Sequence, residues 1–371
     1  MTTPPDTTPP DTVLPDTARS DATPPDTAAS DATPLDITPL AATPPGTAPP
    51  GTVPPGTAPS DLHRLSAGTL AWLERNLDRF DPYAPGRGHS EHEAPYARAK
   101  AALELALLRH CWARLGAGDD PRLGRVTALV RTLWPHPDFP RLVTADPRCA
   151  AYYGLVYAAL APDGIDDRPC RAVLARLAAD DLSPRGRSPY QRLELRYYAD
   201  KAGVRHTVEP YEELIARNVL VTLPAEAARR AVPAGEAPVT VPEAYAVTHS
   251  AFYLSDFGRT GPGLPADARA DAAELVSRLL EHCARRDWWD LAAELLITQV
   301  CLGLEPLRTP CGTAALACLA RAQQGDGAIP GRSAGTRASA ADPAGAFFAK
   351  AYHTTLVTAL MTLLVTSAGA A

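Results

Sequence analysis

Residues 242–258 read PEAYAVTHSAFYLSDFG and carry the start and stop signals of an α-helix. Proline is well tolerated at the first helical position, where its missing N–H would have no partner anyway, and glycine is the usual residue just after a helix end. The stretch therefore predicts a helix over 242–257 that stops at Gly258.

The same signals recur on both sides of this helix, from Asp61 to the C-terminus. Apolar residues follow each other at spacings of three and four, and no segment alternates apolar and polar residues for long, so strands are not expected. Helices are predicted at 62–77, 94–115, 121–134, 147–160, 169–179, 189–202, 209–221, 242–257, 265–285, 287–302, 311–323 and 347–366. About a dozen helices joined by short loops predict one all-α domain over 61–371, a complete or incomplete α/α barrel of the α/α-toroid type.

Residues 1–60 differ in composition from the rest of the chain. They repeat TPPDT at 3–7, 8–12 and 23–27 and hold 16 of the 39 prolines. So few large apolar side chains cannot offset the entropy of ordering, which predicts a disordered, partly polyproline II tail. The alternative is a repeat translated from a misassigned start codon.

Net charge separates the same two parts. The tail holds seven aspartates and one arginine, which accounts for the whole formal charge of −6 and leaves 61–371 close to neutral. A neutral domain without a basic stripe argues against nucleic-acid and membrane-surface partners. The start of the chain lacks a signal-peptide pattern, the apolar run 356–365 is too short to span a bilayer, and seven cysteines are scattered singly, so we expect a cytoplasmic protein.

The central helix places four side chains of different chemistry on one face: His249, Phe252, Tyr253 and Asp256. Imidazole titrates near neutral pH, and a carboxylate can orient it, so this face suits acid/base chemistry. We assign His249 as base, Asp256 as its orienting or acidic partner, Tyr253 as proton donor or substrate anchor, and Phe252 as a substrate contact. The structural alternative is a set of core residues that are each satisfied singly.

Two further segments supply candidates for facing helices. Tyr352 and His353 are predicted at the start of the last helix, where the helix dipole would favour a neutral imidazole. In the helix after Pro189, Glu194 is a second candidate for acid/base chemistry, unless it forms an ordinary ion pair with Lys201 or Arg196. Its neighbours are candidate substrate contacts: Tyr197, Tyr198 and Lys201.

Metal binding stays an alternative, with His249, Asp256 and His353 as ligands. The cluster HSEHE at 89–93 lacks the ligand spacing of a metal-binding helix and is interpreted as a polar loop. The sequence contains no Asp-rich cyclase motif, no G-x-S-x-G, no P-loop and no G-x-G-x-x-G, which argues against terpenoid cyclases, serine hydrolases, NTPases and dinucleotide enzymes.

Two stretches resemble known families. Residues 316–331, LACLARAQQGDGAIPG, resemble the helix-end motif of terpenoid-cyclase and prenyltransferase toroids, in which a glutamine ties helix ends together; Ile329 stands where that motif has an aromatic residue. The runs THSAFYLSDFG at 248–258 and YHTTLV at 352–357 resemble an uncharacterised actinobacterial all-helical family associated with specialised-metabolite gene neighbourhoods.

These observations predict an enzyme of actinobacterial specialised metabolism that acts on a small organic metabolite in a central helical cavity. Elimination, cyclisation, isomerisation and hydrolysis remain open, so the enzyme would be lyase-, cyclase- or hydrolase-like. The competing hypothesis is a non-catalytic helical module that binds a partner protein or a metabolite, in which the polar residues fix helix register. The sequence does not define the substrate, the cofactor or the oligomeric state.

Overall fold

The computed structural model describes residues 58–84, 95–116, 119–147, 149–230, 236–339 and 341–370. Residues 1–57 and the cluster at 89–93 lie outside these ranges. The described residues contain α-helices and two short 3₁₀ turns and no strand, so the all-α prediction is confirmed. The helices are α1 Ala58–Arg75, α2 Leu77–Phe80, α3 Pro95–Ala113, α4 Pro121–Leu133, α5 Phe139–Val143, α6 Ala150–Ala159, α7 Arg168–Leu174, α8 Pro189–Lys201, α9 Tyr211–Ala216, α10 Val219–Arg229, α11 Val241–Ser255, α12 Ala266–Arg286, α13 Trp289–Cys301, α14 Pro310–Ala322 and α15 Ala344–Ala370.

Most predicted helices match in position, and the exceptions have local causes. The single helix predicted at 209–221 is two helices, because the Asn218 side chain accepts a hydrogen bond from the Leu220 N–H and starts α10 afresh. Helix α10 then continues through Pro224, which the sequence reading took as outside any helix. Helix α1 already begins at Ala58, inside the segment predicted as tail.

Helices α13 and α15 lie at the centre of the packing. Helix α13 packs against α11, α12, α14 and α15, and α15 also packs against α1 and α3. On the other side, α11 packs against α8, and α8 packs against α6. Six helices therefore adjoin one another in the order α3, α15, α13, α11, α8, α6, and these six carry the polar residues described below.

The loop after α14 packs against α1. Gln323 Nε2 donates to the Leu65 carbonyl oxygen at 3.2 Å and to the Gly327 carbonyl oxygen at 3.3 Å. Gly327 has φ +93, and a Cβ there would lie 2.1 Å from the Gly68 carbonyl oxygen, so only glycine allows the two backbones to approach this closely. The resemblance implies a tie between two helix ends, whereas Gln323 joins the end of α14 to the middle of α1.

Helix α15 is 27 residues long, so the expectation that the last apolar segment is too short to cross a bilayer does not hold for the whole helix. By length and composition, Ala344–Gly369 could span a membrane, and 67% of its most apolar window is buried against the rest of the protein. Four threonines lie buried along the helix, at 354, 355, 358 and 362. All seven cysteines of the chain are buried, and none is in a disulfide.

Candidate functional site

Helix α11 is fixed at its start by a capping box. The Thr240 side chain accepts from the Glu243 N–H, and the Glu243 carboxylate accepts from the Thr240 N–H at 2.8 Å. Arg230 adds two hydrogen bonds to the same carboxylate. The rest of the helix is almost wholly buried, so its polar side chains must find partners within the protein.

His353 of α15 lies between two carboxylates from different helices. Its Nδ1 is 2.8 Å from Glu104 Oε2 on α3, and its Nε2 is 3.4 Å from Asp290 Oδ1 on α13. Burial alone would lower the pKa of His353, but the charges of Glu104 and Asp290 raise it to about 10. The expected neutral imidazole is therefore wrong: α15 begins at Ala344, so His353 lies away from the helix start.

Asp290 belongs to the buried cluster of Glu104, Glu194, His249, Asp290, Glu294 and His353, and it has partners on two other helices. Its Oδ2 accepts from the Tyr245 hydroxyl of α11 at 2.8 Å, and its Oδ1 accepts from the Thr354 hydroxyl of α15 at 3.1 Å. Burial would raise its pKa, but His353, then Arg332 and the Tyr245 hydroxyl, hold the pKa well below the ordinary value. Asp290 thus joins α11, α13 and α15 through one buried group.

His249 of α11 faces Glu294, one turn further along α13. Its Nε2 is 3.8 Å from Glu294 Oε2, and the Thr248 hydroxyl donates to the same oxygen at 2.6 Å. Burial would lower the pKa of His249, but Glu294 and then Glu194 raise it above the ordinary value. Its Nδ1 is buried and has no hydrogen-bond partner among the residues that the structure describes.

Glu194 of α8 is the second carboxylate whose charge acts on His249. Its Oε1 accepts from the Tyr253 hydroxyl at 2.6 Å and from the Tyr152 hydroxyl at 2.9 Å. Burial raises the pKa of Glu194 even though His249 and both phenols oppose the shift. The ring of Tyr198 packs against the rings of Tyr152 and Tyr253. Glu194 is therefore not part of an ion pair with Lys201 or Arg196.

Asp256 lies in a different cluster, so the expected pairing of His249 with Asp256 is wrong. Asp256 and Phe257 have φ of 50 and 57, both left-handed, and this turn directs the carboxylate away from the face of His249. Its oxygens accept from Arg114 at 3.2 and 2.5 Å, and from Arg259 at 2.9 Å. Burial would raise the pKa of Asp256, but these bonds, with those from Tyr197 and Lys201, depress it strongly.

The remaining candidates divide between the two clusters. Tyr197 donates to Asp256 Oδ1 at 2.7 Å, and Lys201 Nζ lies 3.0 Å from the same oxygen. Phe252 stacks on Phe257 and also lies beside the His249 ring. Tyr352 stacks on Phe348 near α1. A groove of about 260 Å³ opens beside Asp256, lined by Arg114, Arg259, Phe257 and Val300 among others.

His282 provides an internal reference for His249. It is also buried, and its Nδ1 also lacks a partner among the described residues. It packs against Trp288, and burial followed by the charges of Arg286 and Arg285 lowers its pKa to about 4. Burial therefore lowers the pKa of an ordinary core histidine of this protein, whereas the charges of Glu294 and Glu194 raise the pKa of His249.

The sequence reading missed three carboxylates: Glu104, Asp290 and Glu294. Each interrupts an apolar stretch, in AALELALL at 101–108 and in WDLAAELLI at 289–297. A charged residue inside a helix that is apolar on all sides indicates a buried partner. That signal could have identified all three. Asp290 and Glu294 are also spaced for one helix face.

The family model described as a domain of unknown function, DUF6895, matches residues 66–363. The chain belongs to the DUF6895 family. The match covers α3, α8, α11, α13 and the part of α15 that holds His353, so every residue of both clusters lies within the family domain. Searches of curated proteins and of solved structures found no match.

Proposed function

We propose that this DUF6895 chain is an enzyme that moves a proton on a small organic molecule, with His249 at its centre. The observation that carries the proposal is the buried Nδ1 of His249, which has no partner among the described residues although the charges of Glu294 and Glu194 both act on the ring. Buried polar atoms are normally hydrogen-bonded, so a partnerless nitrogen in a charged surrounding is suited to an external ligand.

The packing order of six helices supports the toroid as part of this proposal. In an α/α toroid the inner helices adjoin one another around a centre, and the row of neighbouring pairs from α3 through α15, α13, α11 and α8 to α6 supports such an arrangement. The polar residues come from these same helices: Glu104, His353, Asp290, His249, Glu194 and Tyr152. A substrate at the centre would contact side chains from several inner helices at once.

Within this arrangement each group has a distinct role. His249 exchanges the proton through Nδ1, while Glu294 holds its Nε2 side and fixes the ring orientation. The Tyr253 hydroxyl donates to Glu194 across 2.6 Å, and this pair is the second proton-transfer group of the proposal. Burial raises the pKa of Glu194, which favours its protonated form more than in an exposed carboxyl. A role in actinobacterial specialised metabolism and a cytoplasmic location are also part of the proposal.

The test is a comparison of His249→Gln with His282→Gln in the full-length protein. Both changes remove a buried imidazole whose Nδ1 is unpartnered, but only the first touches the carboxylate network. Each protein is incubated with a small-molecule extract of an actinobacterial culture, and mass spectrometry follows which metabolites disappear. Wild type and His282→Gln should consume the same metabolite, and His249→Gln should consume it at least about 100-fold more slowly.

Equal consumption by His249→Gln and wild type would overturn the assignment of His249. If no metabolite is consumed and His249→Gln also melts several degrees below wild type, the helical-module alternative gains support, because a buried residue that only fixes packing lowers stability when it is replaced.

A further inference from the structure

Three side chains of the buried network point ligand atoms at a common position. One atom each from Asp290, Glu294 and His353 lies within 4.8 Å of the other two. Asp290 and Glu294 are one turn apart on α13, and His353 comes from the neighbouring helix α15. One imidazole nitrogen and two carboxylate oxygens form a donor set suited to a first-row transition ion.

The distance between His353 and Asp290 is that of two ligands around one ion. Two atoms that share a metal at about 2.0–2.2 Å lie about 3–3.5 Å apart. His353 Nε2 and Asp290 Oδ1 are 3.4 Å apart, longer than the about 2.7–2.9 Å of a charge-assisted hydrogen bond. The other nitrogen of the same ring does make such a bond, at 2.8 Å to Glu104.

The groups around the three side chains orient them as outer partners orient metal ligands. A histidine ligand usually donates its second N–H to a carboxylate, and Glu104 is placed to accept it from His353 Nδ1. Tyr245 donates to Asp290, and Thr248 donates to Glu294. Each of the three side chains is therefore hydrogen-bonded to a residue on another helix: His353 to α3, and Asp290 and Glu294 to α11.

His249 gives an independent indication that something other than protein completes the site. It is 4% exposed, its Nε2 faces Glu294 at 3.8 Å, and its Nδ1 has no partner among the described residues. A catalytic metal site keeps a position open beside its protein ligands, and His249 lies next to the ligand Glu294.

We propose that Asp290, Glu294 and His353 bind one divalent first-row transition ion, with Glu104 as the carboxylate that orients His353. Imidazole as a ligand favours zinc, cobalt, manganese or iron over magnesium and calcium, which prefer oxygen alone. This inference adds a metal to the site of the proposed function, and its catalytic meaning rests on that function. Metal binding itself is measured without turnover. His249 stays outside the ligand set and keeps its proton-transfer role.

The experiment uses untagged full-length protein that has been stripped of metal with a chelator. Co²⁺ is titrated in while visible absorption is recorded, and Zn²⁺ binding is measured by calorimetry. Wild type should bind about one ion per chain, with ligand-field bands of a site of nitrogen and oxygen donors. Thiolate charge-transfer absorption would instead assign the ion to the buried cysteines and overturn the inference.

The double variant Asp290→Asn/Glu294→Gln keeps the side-chain sizes and should lose binding. Glu104→Gln should weaken binding by about 10–100-fold, because it removes only the group that orients His353. Glu194→Gln is the matched control: it removes the charge of another buried carboxylate of the same region and should bind as wild type does. Wild type that binds no ion overturns the inference even if the variants fail to fold.

The two proposals fail separately. Glu194→Gln should bind metal and yet fail the metabolite test. Metabolite consumption by a protein that binds no metal would remove the metal and leave the proposed function. Metal binding at this site with no metabolite consumed would remove the proposed function and leave the metal site.

Discussion

Helix α11 contributes to two charge clusters that differ in burial and in the balance of their charges. Around His249 and His353, carboxylates from α3, α8 and α13 surround two imidazoles in a buried interior. Around Asp256, one partly buried carboxylate receives two arginines, one lysine and one tyrosine beside an open groove. The first cluster offsets its carboxylates with the two imidazoles, Lys100 and Arg332, whereas the second has an excess of base.

The difference shows how burial changes the cost of a charge. Near solvent, the extra cations around Asp256 remain hydrated, so the cluster tolerates an unequal number of charges. In the interior, each carboxylate needs a partner, and losing one leaves another charge uncompensated. Substitutions in the two clusters should therefore differ in size and in their dependence on pH.

The largest expected effect is that of Asp290→Ala. It removes the partner of His353, Tyr245 and Thr354 at once, so we expect the free energy of unfolding to fall by about 3–5 kcal/mol. Urea denaturation in the presence of a chelator measures the loss without a contribution from metal. Glu305→Ala, which breaks an exposed pair with Arg308, should change stability by less than about 1 kcal/mol. Similar losses for Asp290→Ala and Glu305→Ala would contradict the expected difference between buried and exposed charge pairs.

Asp256→Asn should have an intermediate effect that depends on pH. We expect a loss of about 1–2 kcal/mol at pH 7, from weakened charge-assisted hydrogen bonds. The pKa of Asp256 is depressed in the folded protein, so its contribution is present above the unfolded value of about 4 and is lost as the pH falls. Denaturation at pH 7 and at pH 3 should show the gap to wild type narrowing. A gap that is constant with pH would assign the loss to packing.

The smallest effect concerns the start of α11, which both clusters share. Thr240→Ala removes the capping hydrogen bond to the Glu243 N–H and should cost about 1 kcal/mol. Ser188→Ala removes the equivalent bond at the start of α8 and is the matched control. Thermal melting of both variants should give similar shifts. A far larger shift for Thr240→Ala would mean that the cap also positions the buried network.

Local signals predicted the helices well, because caps, prolines and apolar period act within a few residues. The capping boxes at Ser188 and Thr240 lie where Pro189 and Pro242 indicated helix starts. The split after α9 was missed because Asn218 acts as a cap inside an apolar run, and its own amide also donates to Ser250 on α11. Such a contact between helices leaves no trace in the local period.

The site was predicted in part. His249, Tyr253, Glu194 and His353 belong to one connected region, but the residues that pair with them were not identified. A helical wheel places Asp256 on the face of His249, yet the left-handed turn after Ser255 redirects it. The carboxylates that do face the histidines come from α3 and α13, and which helix adjoins which is decided by the packing of the whole domain.

The bond from Gln323 to the Leu65 carbonyl oxygen spans 258 positions of the chain. Helix α1 also packs on α15, which is synthesised long after it. During synthesis α1 must therefore wait for its final neighbours, with the apolar faces of Leu65, Trp72 and Leu73 uncovered. Contacts of such long range slow folding and expose the growing chain to aggregation. We therefore expect the nascent chain to need protection from aggregation until α14 and α15 have been synthesised.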